Sequence, residues 1–267
     1  MIPLEITGMT KIFDTPAGPF VALKDVSVRF KDGEFVCILG HSGCGKSTVL
    51  SIVAGLQRAT YGGVVIDGKQ VDEPGTDRGV VFQSPCLLPW LTAGENVELA
   101  IGQAFPSYTT ARKRQEAGKY LDLVGVGAAY RQRPAELSLG TQQCVALARA
   151  FSTNPRFLLL DEPFSMLDSL TRLDIQDILL HTWERSRKLV VMVTHDVDEA
   201  IYLSDRIVLM TDGPEARVGE IVEIPFSRPR NRIDVLEHPE YYATRARILD
   251  FLENHAKQLA GAAARTV

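Results

Sequence analysis

The segment Gly40-His41-Ser42-Gly43-Cys44-Gly45-Lys46-Ser47 constrains this chain more than any other. It follows the continuous apolar run Phe35-Val36-Cys37-Ile38-Leu39 and precedes helical spacing at Val49, Leu50, Ile52 and Val53. A short run that is apolar at every residue reads as a strand buried on both faces, as in a parallel sheet covered by helices. Strand, glycine-rich turn and helix in that order make a phosphate loop of the form GxxxxGK[ST]. Its glycines let backbone N–H groups converge on phosphate oxygens with no Cβ in the way, and the helix dipole adds positive potential. Lys46 is expected to reach the β- and γ-phosphates, and Ser47 to ligate Mg²⁺. The alternative is a glycine-rich turn that matches by chance, and the flanking strand and helix argue against it.

The rest of the chain alternates in the same way. Short strands are expected at 4–6, 11–13 and 21–30, with a turn at Lys31-Asp32-Gly33. A helix is expected over 47–56, then strands at 64–66 and 80–82. Between 84 and 146 the character changes to proline breaks and helical stretches, including an amphipathic helix at 111–124. Strands return at 157–160, 189–193 and 206–210, with helices at 170–187 and 198–204 between them. The tail from 226 opens with Pro and Arg, continues as a helix at 241–260 and ends loosely at 261–265. Alternating strands and helices argue for a mostly parallel α/β sheet carrying a helical insertion.

Composition narrows the function. The 267 residues are 45% hydrophobic and 23% charged, with net charge −4, so a general electrostatic grip on nucleic acid is not expected. Four cysteines without a CxxC pair suggest neither a disulfide scaffold nor a zinc site. No apolar run approaches the roughly 18–20 residues that span a bilayer, and the N-terminus lacks signal-peptide regions. A soluble intracellular protein is expected.

Phosphoryl transfer also needs an acidic metal partner and a group that orients water. Phe157-Leu158-Leu159-Leu160-Asp161-Glu162 supplies both at a strand end. Asp161 suits a Mg²⁺ shell and Glu162 suits the general base.

Together with further motifs, the chain resembles the nucleotide-binding subunit of an ABC transporter over essentially its whole length. Gln83 resembles the Q-loop glutamine, which contacts Mg²⁺ and the attacking water and senses a membrane partner. Leu137-Ser138-Leu139-Gly140-Thr141-Gln142-Gln143 resembles the signature motif, Ser165-Met166-Leu167-Asp168 the D-loop, and Val193-Thr194-His195-Asp196 the switch-histidine motif. Phe13 matches the aromatic that stacks on adenine. The resemblance implies a P-loop (RecA-like) α/β fold with an N-terminal antiparallel β subdomain and an inserted helical subdomain. It divides the chain into an ATP-binding core at 1–83 and 147–225, a helical subdomain with the signature at 84–146, and a helical tail at 226–267. It implies ATP and Mg²⁺ as cofactors. Glu162, His195 and Gln83 would be catalytic, and Ser47, Gln83 and Asp161 metal-binding. Phe13, the loop from Gly40 to Ser47, Thr48, Ser138, Gly140 and Gln142 would contact nucleotide. Two subunits would face each other head to tail with ATP between them, as a homodimer or with a second ATPase subunit. Two membrane-spanning permease subunits would complete the machine at the cytoplasmic face of the membrane, fed by an extracytoplasmic solute-binding protein; no nucleic acid is implied.

The stretches 74–83 and 87–97 resemble importers of the nitrate, sulfonate and taurine type, and Pro89-Trp90-Leu91 would lie near the groove that receives a membrane-subunit helix. Leu139 stands where the signature usually has its first Gly, Thr141 follows Gly140, and Cys144 stands where Arg is common, so reduced activity is expected. Cys44, near Lys46 and a helix N-terminus, is expected to have a lowered pKa and to block ATP binding when alkylated. His41 is expected to face solvent, and Arg228, Arg230 and Arg232 to form a solvated surface. Two other readings compete: a regulatory or degenerate partner subunit with weak ATPase, and a soluble ABC-type ATPase of translation or repair. The second lacks room for the usual coiled-coil insertion.

Overall fold

The computed structural model describes residues 3–263. Along the chain run β1 (Leu4–Thr15), β2 (Gly18–Phe30), β3 (Phe35–Leu39), α1 (Lys46–Val53), β4 (Tyr61–Ile66), β5 (Lys69–Gln70) and β6 (Arg78–Val81). Then come α2 (Ala93–Ala104), α3 (Thr110–Leu123), α4 (Leu139–Ser152), β7 (Phe157–Asp161) and α5 (Ser169–Ser186). The chain closes with β8 (Leu189–Thr194), α6 (Val197–Leu203), β9 (Arg206–Met210), β10 (Val218–Glu223), α7 (Arg232–Leu236) and α8 (Tyr241–Ala263). No helix among the described residues is long and apolar enough to cross a membrane.

Two compact units emerge, one holding the residues through Pro74 with those from Leu189 onward, the other Gly75–Lys188. In the first unit, β2-β1-β4-β5 form an antiparallel sheet, as expected of the N-terminal region. The two strands expected at 4–6 and 11–13 are one strand, β1, whose register against β2 shifts between Ile6 and Met9. An irregularity of this kind breaks the alternation without ending the strand. The same unit places β3 parallel to both β8 and β9, with β10 antiparallel on β9. All five residues of β3 and all six of β8 are buried, which is why both read as unbroken apolar runs.

In the second unit β6 pairs parallel with β7, and α2 to α5 supply the helical bulk. Each helix start has a local cause. Thr92 and Glu95 form a reciprocal capping box for α2. Thr109, Ser138 and Asp168 each accept a backbone N–H at the starts of α3, α4 and α5. Ala117 and Leu121 bury the inner face of α3, while nine residues of α4 are buried, marking α4 as the axis of this unit. The tail helix α8 extends to Ala263 rather than 260; the rest of the expected loose end lies outside the described residues.

Candidate active site

In the first unit the phosphate loop joins β3 to α1. The N-cap of α1 is Gly45, at φ 90, with no side chain capping the helix. A Cβ at Gly45 would also fall 2.7 Å from Leu23 Cδ2, so both backbone angle and space require glycine. The uncapped first-turn N–H groups of α1 suit an anion. Lys46 is buried, and its Nζ donates to the carbonyls of Gly40 and His41, both at 2.8 Å. Ser42, Gly43 and Ser47 are exposed, and Thr48 is half-buried in the first turn of α1.

One expectation about this loop is corrected, the low thiol pKa, and His41 gains a partner. Cys44 is 2% exposed, and burial pushes its thiol up rather than down. Lys46, whose Nζ lies 3.9 Å from the sulfur, pulls the other way and does not prevail. His41 is only part-exposed, and its Nδ1 meets Asp212 Oδ1 at 2.8 Å. Asp212 lies 171 positions away, so no local sequence signal pointed to it.

Also in the first unit, Phe13 is half-buried on β1 with the Lys11 ammonium 5.0 Å from its ring centroid. His195 is exposed at the end of β8. Its neighbours are fixed. Thr194 Oγ1 donates to the buried Glu199 at 2.8 Å and accepts from the Asp196 N–H at 3.0 Å. Asp196 then accepts the N–H groups of Asp198 and Glu199, capping α6. The imidazole therefore projects from a backbone pinned on both sides.

The second unit carries the acidic pair at the end of β7. Asp161 and Glu162 are both part-exposed. Glu162 takes φ 44, a left-handed conformation that a non-glycine residue holds only at a cost. Gln83 Nε2 donates to Glu162 Oε2 at 3.2 Å, joining two predicted site residues separated by 79 positions. The Ser165 N–H and hydroxyl both return to the Glu162 carbonyl, at 3.2 and 3.0 Å, which closes the turn after it.

Ser138 sits at the N-cap of α4, where its hydroxyl accepts the Thr141 N–H at 3.1 Å and lies 2.9 Å from the Thr141 hydroxyl. Thr141, read from sequence only as a departure, thus places a second hydroxyl beside Ser138. Leu139 is 54% exposed, so its side chain strains nothing within the unit. Gln142 Nε2 donates to the carbonyls of Pro134 and Leu137, at 3.0 and 3.1 Å, bracing the loop that leads into α4. Cys144 is buried, and burial pushes its thiol up to about 11.

A family model described as ABC transporter matches residues 23–165. The chain is 51% identical to the nitrate import ATP-binding protein NrtD of Synechococcus elongatus, over 93% of this chain and 91% of that protein. It is 47% identical to the bicarbonate transport ATP-binding protein CmpD of the same organism, over 94% and 90%. Among solved structures it resembles a dimeric ATP-binding cassette, MJ0796, in a post-hydrolysis state bound to ADP and Pi. That likeness has a TM-score of 0.76 at 35% identity and covers 84% of this chain and all of the cassette.

Proposed function

The chain belongs to the ABC transporter family and is an ATPase of that type, and from this premise we propose that it energises import of a small anion. The solute is of the nitrate or bicarbonate kind, in keeping with what the two similar proteins are named for. The reading rests chiefly on one observation: a carboxylate suited to activating water, Glu162, held by Gln83 at the end of a buried strand. A degenerate or purely regulatory subunit gains no support, because the relatives are import and transport ATP-binding proteins.

In this proposal the α1 N-terminus and Lys46 bind the β- and γ-phosphates, and Phe13 stacks on adenine. Glu162 takes the proton of the attacking water while Gln83 orients its carboxylate. His195 contacts the γ-phosphate, and Ser138 with the α4 N-terminus grips the γ-phosphate held by a partner subunit. Ser47, Gln83 and Asp161 offer hydroxyl, amide and carboxylate oxygens, the hard donors that Mg²⁺ takes. No group of three or more His, Cys, Asp or Glu among the described residues could hold a metal alone, which suits an ion that arrives with nucleotide phosphates. When bound, Mg²⁺ neutralises charge on the phosphate oxygens. Closure of two such subunits excludes water from the site, and two permease subunits at the membrane convert that closure into transport.

The test compares the purified chain with Glu162→Gln. The wild type should hydrolyse ATP, and the variant should lose about 100-fold or more of kcat and accumulate as an ATP-bound dimer on size exclusion. Equal hydrolysis by the two proteins would remove Glu162 from the chemistry. Uptake of labelled nitrate and bicarbonate by cells lacking the chain then identifies the solute.

A further inference from the structure

We infer that Gln143 and Arg149, both on α4, are positioning residues that fix the loop carrying Gln83, so that the signature helix and this loop move as one body. The inference rests on the roles proposed above for Gln83, Glu162 and Ser138. Gln143 is fully buried, and its Nε2 donates to the carbonyl of Phe82, the residue before Gln83, at 3.1 Å. Its Oε1 is buried without a hydrogen-bond partner. A polar side chain half-satisfied in a core is a net cost to stability, and a leucine of similar size would carry none. What this position gains from glutamine is the grip on Phe82.

Arg149, almost two turns further along α4, grips the other side of the loop. Its guanidinium donates to the Cys86 carbonyl at 2.8 Å and to the Pro85 carbonyl at 3.0 Å. Burial pushes its pKa down, because the carbonyls it donates to are neutral and do not compensate the buried charge. Cys86 holds φ 49, so the loop turns sharply where the arginine collects its carbonyls. Gln83 lies between the two anchor points and reaches Glu162 from there. The N-cap of the same helix is Ser138. A displacement of α4 at Ser138 therefore carries Phe82, Pro85 and Cys86 with it, and moves the amide that orients Glu162. An error of about 1 Å in such a group costs on the order of 100-fold in rate.

The experiment measures kcat, KM for ATP and thermal midpoint for the full chain, with Arg149→Met, Arg149→Lys, Gln143→Leu and Glu162→Gln side by side. Arg149→Met should lose about tenfold or more of kcat with KM within about twofold, because the nucleotide is bound by the phosphate loop. Arg149→Lys, able to hold one carbonyl, should recover part of that loss. Gln143→Leu should lower kcat while its midpoint stays level or rises, which a merely structural role could not produce. Folded Gln143→Leu or Arg149→Met protein with wild-type kcat overturns the inference, as does a raised KM at constant kcat. If Arg149→Met does not fold, Gln143→Leu decides alone. Loss of hydrolysis in Glu162→Gln together with wild-type kcat in the α4 variants would overturn only the positioning role. A Glu162→Gln protein as active as wild type would overturn both.

Discussion

Inside the phosphate loop, the Cys44 sulfur lies between opposing influences, and their sizes decide its chemistry. Lys46 and the helix N-terminus favour thiolate, whereas burial disfavours it and is the larger effect. A Cβ on Gly40 would fall 2.8 Å from Sγ and 3.2 Å from Met210 Cβ, so the sulfur is packed beneath the loop. Thiolate is the reactive species, and it needs a path to reagent as well as a low pKa. With iodoacetamide at pH 8, the exposed Cys86 should be modified first and Cys44 at least about 100-fold more slowly until the chain unfolds. Peptide mass mapping over time reads this, and equal rates at the two sites would sink it. The sequence placed Cys44 beside Lys46 correctly, yet it could not display how deeply the sulfur is buried. His41 repeats the lesson: its position in the motif was legible, and its Asp212 partner was not.

Helix α6 shows the same division at the scale of an element. It is only seven residues long, it follows His195, and its two ends are held by the tail. Arg230, expected to be solvated, is 4% exposed and donates to the carbonyls of Ile201, Tyr202 and Ser204 at 3.2, 2.9 and 2.7 Å. Arg228 adds bonds to the Leu203 carbonyl at 2.6 Å and Asp205 at 3.0 Å. Arg232 lies over the Tyr202 ring, 3.9 Å from its centroid. Cations at these last carbonyls complete a helix end that has no continuation. Arg230→Met should cost about 3 kcal/mol in urea unfolding, because several buried acceptors lose a charged donor; a loss below about 1 kcal/mol would deny the clamp. At the other end Asp198 accepts from Tyr241 Oη at 2.7 Å and Arg245 Nε at 2.8 Å. Burial pushes the Asp198 carboxyl up, but these two bonds outweigh it and hold the pKa below its usual value. A depressed folded-state pKa contributes stability above the unfolded value near about 4 that is lost as pH falls through the folded one. Asp198→Asn should therefore flatten the acid limb of the stability curve, by less than about 1 kcal/mol because the side chain is half exposed. Unchanged acid sensitivity would contradict this. Strands such as β3 and β8 were legible as unbroken apolar runs, and helices such as α3 and α5 because their burial writes a local period. The clamp was not, because Phe226-Ser227-Arg228-Pro229-Arg230 looks like any charged surface until the carbonyls it meets are placed beside it.

At the scale of the whole molecule, the proposed import requires that hydrolysis be felt by other chains, so some surface has to present a handle. Trp90 is 66% exposed, in a loop whose shape is set from below rather than by its own residues. Asn96, 1% exposed on α2, accepts the Leu88 N–H at 2.8 Å. Its amide donates to the carbonyls of Leu88 and Thr92 at 3.2 and 2.9 Å. A buried amide used in this way makes the loop rigid, and a rigid exposed tryptophan loses little entropy when a partner covers it. Pro89-Trp90-Leu91 marked this loop as a candidate contact from the sequence alone, but the anchor at Asn96 could not be read there, since a helix-forming pattern does not say which polar residue turns inward. A central tryptophan at an interface is worth about 2–4 kcal/mol, roughly 30- to 1000-fold in Kd. Trp90→Ala should weaken co-purification with the membrane subunits on that scale, while the melting temperature and ATPase of the isolated chain stay near wild type. Asn96→Ala should weaken the same association less directly, by letting the loop sample other shapes, and should also lower the melting temperature. If Trp90→Ala bound the membrane subunits as tightly as wild type, the handle would lie elsewhere on the chain. The rigid loop would then serve only the fold of its own unit.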